Sequence, residues 1–165
     1  MHVSLETLNT HIHYAIWANR RIMEAAAGLA PGELTRDFGS SDKSVLGTLL
    51  HVYGGDVVWI ERVNGKSLTA RPYDAQATLA TLQAVWPPVW DRWKEYVAGL
   101  TQEQAEAEVA YRTFKGDALR SPAWQIVLHV VNHGAHHRGQ ASGFVRALGK
   151  TAPVLDLMHY YRNPA

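Results

Sequence analysis

Apolar residues recur every three or four positions along four stretches of the chain, and this period predicts four long helices. The predicted helices cover about residues 4–28, 44–63, 75–100 and 122–148. Four such helices with long connections between them predict an all-α fold, a four-helix bundle with long crossover connections. The apolar stripe of the first helix consists of Leu5, Leu8, Ile12, Ile16, Ile22 and Ala26.

Polar residues mark where two of these helices begin. Ser41 or Asp42 is positioned to cap the second helix, because short oxygen-bearing side chains accept hydrogen bonds from the first free N–H groups. Ser121 followed by Pro122 predicts a cap and a first helical residue for the fourth helix. Both helices are therefore expected to have defined starts.

Two features make the third helix and the segment after it harder to predict. Pro87 and Pro88 remove two backbone donors from the third helix, so we expect a kink or two separate pieces. The residues between 104 and 121 include EVAYRTF and ALRS on either side of Lys115-Gly116-Asp117. This pattern predicts either a short hairpin or an extended loop.

The composition narrows the class of protein. At 165 residues the chain is expected to form a single domain over residues 1–165. Sixteen Lys and Arg residues balance fifteen Asp and Glu residues, so the charge indicates no nucleic-acid partner. No apolar stretch is long enough to span a membrane, and the amino terminus lacks a secretion signal, which predicts a cytoplasmic protein. Without cysteine, the chain has no disulfide, thiolate ligand or cysteine nucleophile of its own.

The segment VLHVVNHGAHHRGQ, residues 127–140, contains four of the nine histidines. On a helical wheel, His129, His133 and His137 fall in the apolar stripe of the fourth helix. His136 falls at the edge of that stripe, and Arg138 points away from it. His133 and His137 are one turn apart, roughly 6 Å along the axis, so their rings can bind one cation. Core histidines with ordinary hydrogen-bond partners are the alternative interpretation.

A metal inside a bundle needs a third ligand from another helix. The histidines outside the fourth helix are His2, His11, His13, His51 and His159. His51 lies almost opposite the stripe of the second helix, which consists of Leu46, Leu50, Tyr53, Val57 and Ile60. A column of small residues surrounds it, namely Gly47, Gly54, Gly55 and Val58. That column leaves room for a cofactor and substrate or lets another helix approach closely, and the periodicity alone does not select His51.

Four stretches of the sequence resemble the DinB (damage-inducible, YfiT-like) family. They are YAIWANRRIMEA, FGSSDKSVLGTLLHVYGGDVVWIERVNG, LHVVNHGAHHRGQASGFVRALG and PVLDLMHYYR. The resemblance implies a four-helix bundle with a divalent metal on three histidines, one from the second helix and two from the last. Carried onto this sequence, it implies His51, His133 and His137 as the metal ligands. His129 would then line the site or form a hydrogen bond in the core. His11 and His13 flank the apolar stripe of the first helix and are expected to be surface or boundary residues.

The resemblance also implies a chemistry. Three neutral imidazoles leave a divalent ion its full charge and an open position, as in catalytic rather than structural sites. Zinc or nickel is favoured over manganese or iron. The leading hypothesis is a metal-dependent transferase that joins a low-molecular-weight thiol to an electrophilic substrate. The sequence identifies no catalytic residue; Tyr53, Trp59, Gln140 and Arg138 are candidates to shape the mouth of the site.

Other functions are weighed against the same residues. A metal-dependent hydrolase, or a stress-response protein with a structural metal, remains the alternative. No glutamate is followed by histidine three residues later, which excludes a ferritin-like site, and Gly134 after His133 excludes an HExxH protease. The resemblance implies a homodimer formed through helix faces, for which the tryptophans of the third helix are available unless they fill the core.

Overall fold

The computed structural model describes residues 3–74 and 76–163, which form seven helices and one two-stranded sheet. The all-α prediction is confirmed. The predicted start of the third helix at residue 75 lies outside the described residues, and the helix itself begins at Leu79. The elements are α1 (Leu5–Ala27), α2 (Pro31–Leu34), α3 (Val45–Val63), α4 (Leu79–Gly99), α5 (Gln102–Glu106), β1 (Glu108–Arg112), β2 (Ala118–Pro122), α6 (Ala123–Ala147) and α7 (Leu157–Arg162).

The four long helices enclose one hydrophobic core. α1 packs against α4 and α6, and α3 packs against the same two helices. Three tryptophans of α4 fill the centre: Trp86 is 0 % exposed and Trp90 and Trp93 are each 2 % exposed. They are therefore core residues and are not available for a dimer contact. No helix within the described residues has both the length and the apolar character needed to cross a membrane.

Helix α4 continues through Pro87 and Pro88 as one element, so the expectation of two pieces is wrong. The two prolines leave the carbonyl groups of Gln83 and Ala84 without their helical donors. Both of these residues are exposed, so water can take the place of the missing donors. The burial of Trp86 and the neighbouring apolar side chains on the other face keeps the helix intact.

Replacing Pro88 with alanine is expected to stabilise the protein by about 1–2 kcal/mol. The change restores a backbone donor within the helix, where proline is about 3 kcal/mol less favourable than alanine, and part of this gain is offset by a more flexible unfolded chain. Pro88 is exposed, so the substitution removes little packing. The midpoint of urea unfolding should rise, and a lower midpoint would show that the proline is required for the shape of α4.

The helix starts differ from the predicted ones by a few residues. Ser44, rather than Ser41 or Asp42, caps α3 by accepting a hydrogen bond from the Gly47 backbone at 3.1 Å. At α6, Pro122 is the cap, and the predicted cap Ser121 belongs to β2. The reason is that β2 runs directly into α6, which engages the Ser121 backbone in the sheet.

The segment before α6 is a hairpin, the first of the two predicted alternatives. β1 and β2 pair in antiparallel fashion, with Glu108 opposite Pro122 and Arg112 opposite Ala118. Gly116 in the connection has a φ of 94°, a left-handed conformation that favours glycine. The backbone N–H of Arg112 donates to Ser67 Oγ at 2.9 Å, which ties the hairpin to the segment that follows α3.

The buried face of α6 is not the one predicted from the wheel. Arg138 is only 1 % exposed and lies near the middle of the buried face, whereas the prediction placed it pointing away. His129, predicted to lie in the apolar stripe, is exposed, and His133 lies at the edge of the buried face. Gly134 explains part of the difference: a Cβ there would lie 2.6 Å from Arg138 Nη1, so the glycine makes room for the guanidinium group.

A buried network of hydrogen bonds joins the four long helices. Arg138 Nη1 of α6 donates to Asn19 Oδ1 of α1 at 2.8 Å. Asn19 Nδ2 donates to Asp56 Oδ2 of α3 at 3.4 Å, and the same oxygen accepts a 2.8 Å hydrogen bond from Trp86 Nε1 of α4. Trp93 Nε1 donates to the backbone oxygen of Asp56 at 3.0 Å.

This network fixes the position of α3 relative to α6. Asn19 accepts from a cation and donates to a carboxylate, so only one orientation of its amide satisfies both partners. Burial raises the pKa of Asp56 to about 7, against the opposing effects of the Trp86 hydrogen bond and the Arg138 charge. Because α3 and α6 also carry the predicted metal ligands, the network determines how those histidines meet.

Candidate metal centre

Three histidines converge between α3 and α6. One ring nitrogen from each of His51, His133 and His137 lies within 4.8 Å of the other two. His51 Nε2 and His133 Nε2 are 3.0 Å apart. Two nitrogens bonded to one zinc ion at about 2.0–2.1 Å lie roughly 3.0–3.4 Å apart for bond angles of about 90–110°. The three residues, here called the histidine cluster, could therefore hold a metal ion.

The cluster favours neutral imidazoles, the form that binds metals. Burial is the main cause that lowers the pKa of His133 to about 3, and the neighbouring His137, His51, His129 and His136 contribute in the same direction. Burial also lowers the pKa of His51, and the nearby Asp42 carboxylate opposes this effect. The lowered pKa values leave a lone pair on the rings of His51 and His133 available to a cation.

Two polar side chains, Gln140 and Asp42, lie next to ring nitrogens of the cluster. His137 Nδ1 lies 2.8 Å from Gln140 Oε1, which leaves Nε2 as the nitrogen available for a ligand. The Asp42 carboxylate lies between two rings, 3.4 Å from His51 Nδ1 and 3.4 Å from His137 Nδ1. Carboxylates and amides placed in this way fix the tautomer and orientation of metal-binding histidines. Asp42 therefore belongs to the site, although the sequence had suggested it only as a helix cap.

The glycines next to His51 create the space that the cluster occupies. A Cβ on Gly55 would lie 2.8 Å from Cε1 of His133, and one on Gly54 would collide with the ring of Tyr73. A Cβ on Gly47 would collide with the backbone oxygen of Asp42. Of the two roles considered for the column of small residues, the structure shows the close approach of another helix, because Gly55 admits the His133 ring of α6; Gly54 and Gly55 also line the neighbouring cavity.

Replacing Gly55 with alanine is expected to weaken metal binding by about tenfold or more, because the His133 ring must rotate away from His51. A competition titration with a coloured chelator measures this change. Gly143→Ala on α6 is the matched control, since a Cβ there meets no atom within 4 Å. Equal affinities for the two variants would show that the His133 ring does not need this space.

The structure separates the other histidines from the cluster. His129 packs its ring against Trp59 at 4.9 Å and against His133 at 5.7 Å, so it borders the cluster but is not one of its three members. His136 is exposed, and its Nε2 lies 3.3 Å from Gln140 Nε2. His2 lies outside the described residues. The other three histidines lie on α1 and α7 and are not members of the cluster; they are His11, His13 and His159. As expected, His13 is exposed and His11 lies at the boundary.

A cavity of about 310 Å³ opens beside His51 and His133. Its walls include the rings of Trp59, Tyr73 and Phe114. Two cationic side chains, Arg62 and Arg71, also line it, and no sequence pattern had indicated either of them. We call this space the histidine cavity.

The four side chains suggested for the mouth of the site have different positions. Trp59 lines the histidine cavity, and Gln140 contacts His137. Tyr53 packs edge-on against the core residue Trp86, with ring centroids 6.1 Å apart. Arg138 belongs to the buried network between the helices. Only Trp59 and Gln140 therefore contribute directly to the site.

Comparison with known proteins gives consistent results. The sequence model of the DinB family matches residues 1–164. Protein DinB of Bacillus subtilis (strain 168) is 26% identical over 149 residues, which cover 87% of each chain. The crystal structure of a DinB-like protein from Bacillus cereus ATCC 10987 superposes with a TM-score of 0.61. That likeness covers 84% of this chain and 91% of the other at 17% identity, and it concerns the fold.

Proposed function

The chain belongs to the DinB family, and from this premise we propose that it is a divalent-metal-dependent enzyme that transfers a low-molecular-weight thiol to an electrophilic substrate. His51, His133 and His137 are the proposed metal ligands, and zinc or nickel is the proposed metal. The observation that carries the proposal is the convergence of these three side chains from two helices, with His51 Nε2 and His133 Nε2 only 3.0 Å apart.

The donor set suits an ion that takes part in a reaction. Three neutral histidines contribute no negative charge, and three protein ligands leave a tetrahedral ion one position for an outside molecule. When bound, such an ion lowers the pKa of a thiol that binds to it and so supplies a thiolate at neutral pH. Gln140 and Asp42 hold the rings in place, so that the geometry does not have to form during the reaction.

The chain itself supports an imported nucleophile. It contains no cysteine, so any thiol that reacts here must come from a separate molecule. In the proposed transfer, the thiolate sulfur forms a bond to the electrophilic carbon, the leaving group departs with its electron pair, and the thiol proton passes to water. The histidine cavity offers space for the electrophile directly beside the ligands.

The proposal is tested with the full chain loaded with zinc or nickel and expressed without a histidine tag. A panel of small cellular thiols is mixed with 1-chloro-2,4-dinitrobenzene, and the thioether product is followed by absorbance. We expect turnover with at least one thiol and none with the His51→Ala variant. Turnover that survives in this variant would overturn the proposal, and hydrolysis of 4-nitrophenyl acetate without thiol transfer would support the hydrolase alternative instead.

A structural metal predicts a different pattern of results. In that case His51→Ala would lower the free energy of unfolding by several kcal/mol, and the natural chain would show no turnover with any thiol.

We also propose that the chain forms a single domain, is cytoplasmic and assembles as a homodimer. Light scattering measures the oligomeric state. The buried tryptophans of α4 would not take part in such a dimer.

A further inference from the structure

Arg62 is a buried cation at the wall of the histidine cavity. It is 8 % exposed, and its Nη2 donates to the backbone oxygen of Arg112 at 3.1 Å. Its guanidinium carbon lies 4.4 Å from the ring centroid of Trp59 and 4.7 Å from that of Tyr111. Nε is buried without a hydrogen-bond partner. Among residues 3–74 and 76–163, no carboxylate forms an ion pair with Arg62.

A buried cation without an anionic partner is an unusual arrangement, because the lost hydration is not repaid by a counter-charge. Burial lowers the pKa of Arg62, yet a guanidinium group keeps its proton at any physiological pH. The two ring faces offset only part of the lost hydration. The side chain is therefore poised to receive an anion from outside the chain.

A second cation stands at the same cavity. Arg71 is exposed, and its Nη1 donates to Tyr73 Oη at 3.2 Å, which holds it at the wall. Planar guanidinium groups match the paired oxygens of a carboxylate or a phosphate, and a singly charged carboxylate loses less hydration than a phosphate on entering a space with mostly apolar walls. Arg62 and Arg71 therefore favour a carboxylate as the charged group of the ligand.

The remaining walls of the cavity favour an apolar body. Val58, Trp59, Pro72 and Phe114 line it, and most of this surface is hydrophobic or aromatic. A polar thiol with several amide groups would leave its donors and acceptors unpaired against such walls. A compact molecule with an apolar or aromatic body fits them, and His51 and His133 line the same space.

We propose that the histidine cavity binds a small organic acid with an apolar body, whose carboxylate pairs with Arg62 and Arg71. This inference rests on the proposed function, in which the acid is the electrophilic substrate. Its reacting carbon faces His51 and His133, and its carboxylate is held at the arginines.

The test compares two probes of the same shape, 4-fluorophenylacetate and its neutral amide 4-fluorophenylacetamide. Binding to the metal-loaded full chain is measured by fluorine NMR and calorimetry. We expect the acid to bind at least about tenfold more tightly than the amide. Arg62→Met should weaken acid binding by about tenfold and change amide binding by less than about twofold, because it keeps the apolar stem but removes the charge.

Two further variants keep the result clear if Arg62→Met folds poorly. Arg71→Gln changes an exposed side chain and should weaken acid binding several-fold. Arg120→Gln removes an exposed arginine of β2 that does not line this cavity, and it should bind both probes as the natural chain does. Equal binding of acid and amide by the natural chain, or no binding at millimolar concentration, would overturn the inference.

The same experiment separates this inference from the proposed function. If acid binding is lost in His51→Ala but survives in Arg62→Met, the acid binds only to the metal and the inference fails. A neutral thiol, 2-mercaptoethanol, should leave acid binding within about twofold when it is saturating; displacement of the acid would remove its assignment to the electrophile. Discrimination between acid and amide in a chain without metal or turnover would instead mean that the proposed function alone has failed.

Discussion

His133→Ala is expected to lose its bound divalent metal, with an affinity at least about a hundredfold below that of the natural chain. The ring nitrogen of His133 is 3.0 Å from that of His51, and removing the ring leaves two donors, too few to hold an ion at low concentration. Elemental mass spectrometry of protein expressed without a histidine tag measures the metal content. His51→Ala and His137→Ala should give the same result.

His136→Ala is the control for this series. His136 is adjacent in sequence to His137 and is exposed, and its ring is in edge contact with that of His137 at 5.0 Å. Its removal should leave the metal content largely unchanged. Loss of the metal in His136→Ala alone would show that the assignment of ligands on α6 is wrong.

Asp56→Ala is expected to lower the free energy of unfolding by about 2–4 kcal/mol at pH 5. At that pH the carboxyl group, whose folded-state pKa is about 7, is protonated, so the loss reflects its hydrogen bonds rather than a charge. The substitution deprives Trp86 Nε1 and Asn19 Nδ2 of their acceptor. Chemical unfolding with urea measures the effect, and a loss below about 1 kcal/mol would show that the buried network contributes little.

Asp56→Asn separates the charge from the hydrogen bonds, because an amide oxygen can still accept from Trp86. The folded-state pKa of Asp56, about 7, lies above its ordinary value of 3.8, so the folded protein holds the proton more tightly than the unfolded chain does. The contribution of this proton to stability is complete below about pH 4 and is lost as the pH rises towards 7 and above. The stability of the natural chain relative to Asp56→Asn should therefore fall between these pH values.

The four long helices could be predicted from the sequence because each has a repeated apolar period, whereas the predicted caps of α3 and α6 were each wrong. The apolar period does not predict which polar residues of α6 face the core. Arg138 counts as a surface residue in any hydrophobicity pattern, yet it lies at the middle of the buried face. Asn19 accepts its hydrogen bond and the charge of Asp56 favours it, and both residues lie on other helices, more than 80 positions away in sequence. Such compensation is a tertiary effect that no local pattern contains.

The cluster was also only partly accessible to sequence reasoning. The pair His133 and His137 follows from helical spacing, but the wheel placed His51 opposite the apolar stripe of its helix. In the structure no residue of α3 is exposed, because neighbouring elements and the histidine cavity surround it on all sides. Because every side of α3 is at least partly buried, a helical wheel does not separate a buried face from an exposed one. The resemblance to a known family therefore identified His51 where the wheel did not. Asp42 had no sequence signal beyond its capping chemistry.

The buried network also bears on which ions the cluster can accept. Arg138 follows His137 directly, and Asp56 lies one and a half turns beyond His51, so the network holds α3 and α6 against rotation about their own axes. Rings mounted on helices that cannot turn have little freedom to spread apart. We expect such a cluster to discriminate by ionic size, because ions with short bonds to nitrogen fit the 3.0 Å spacing, whereas large ions would have to force the helices apart.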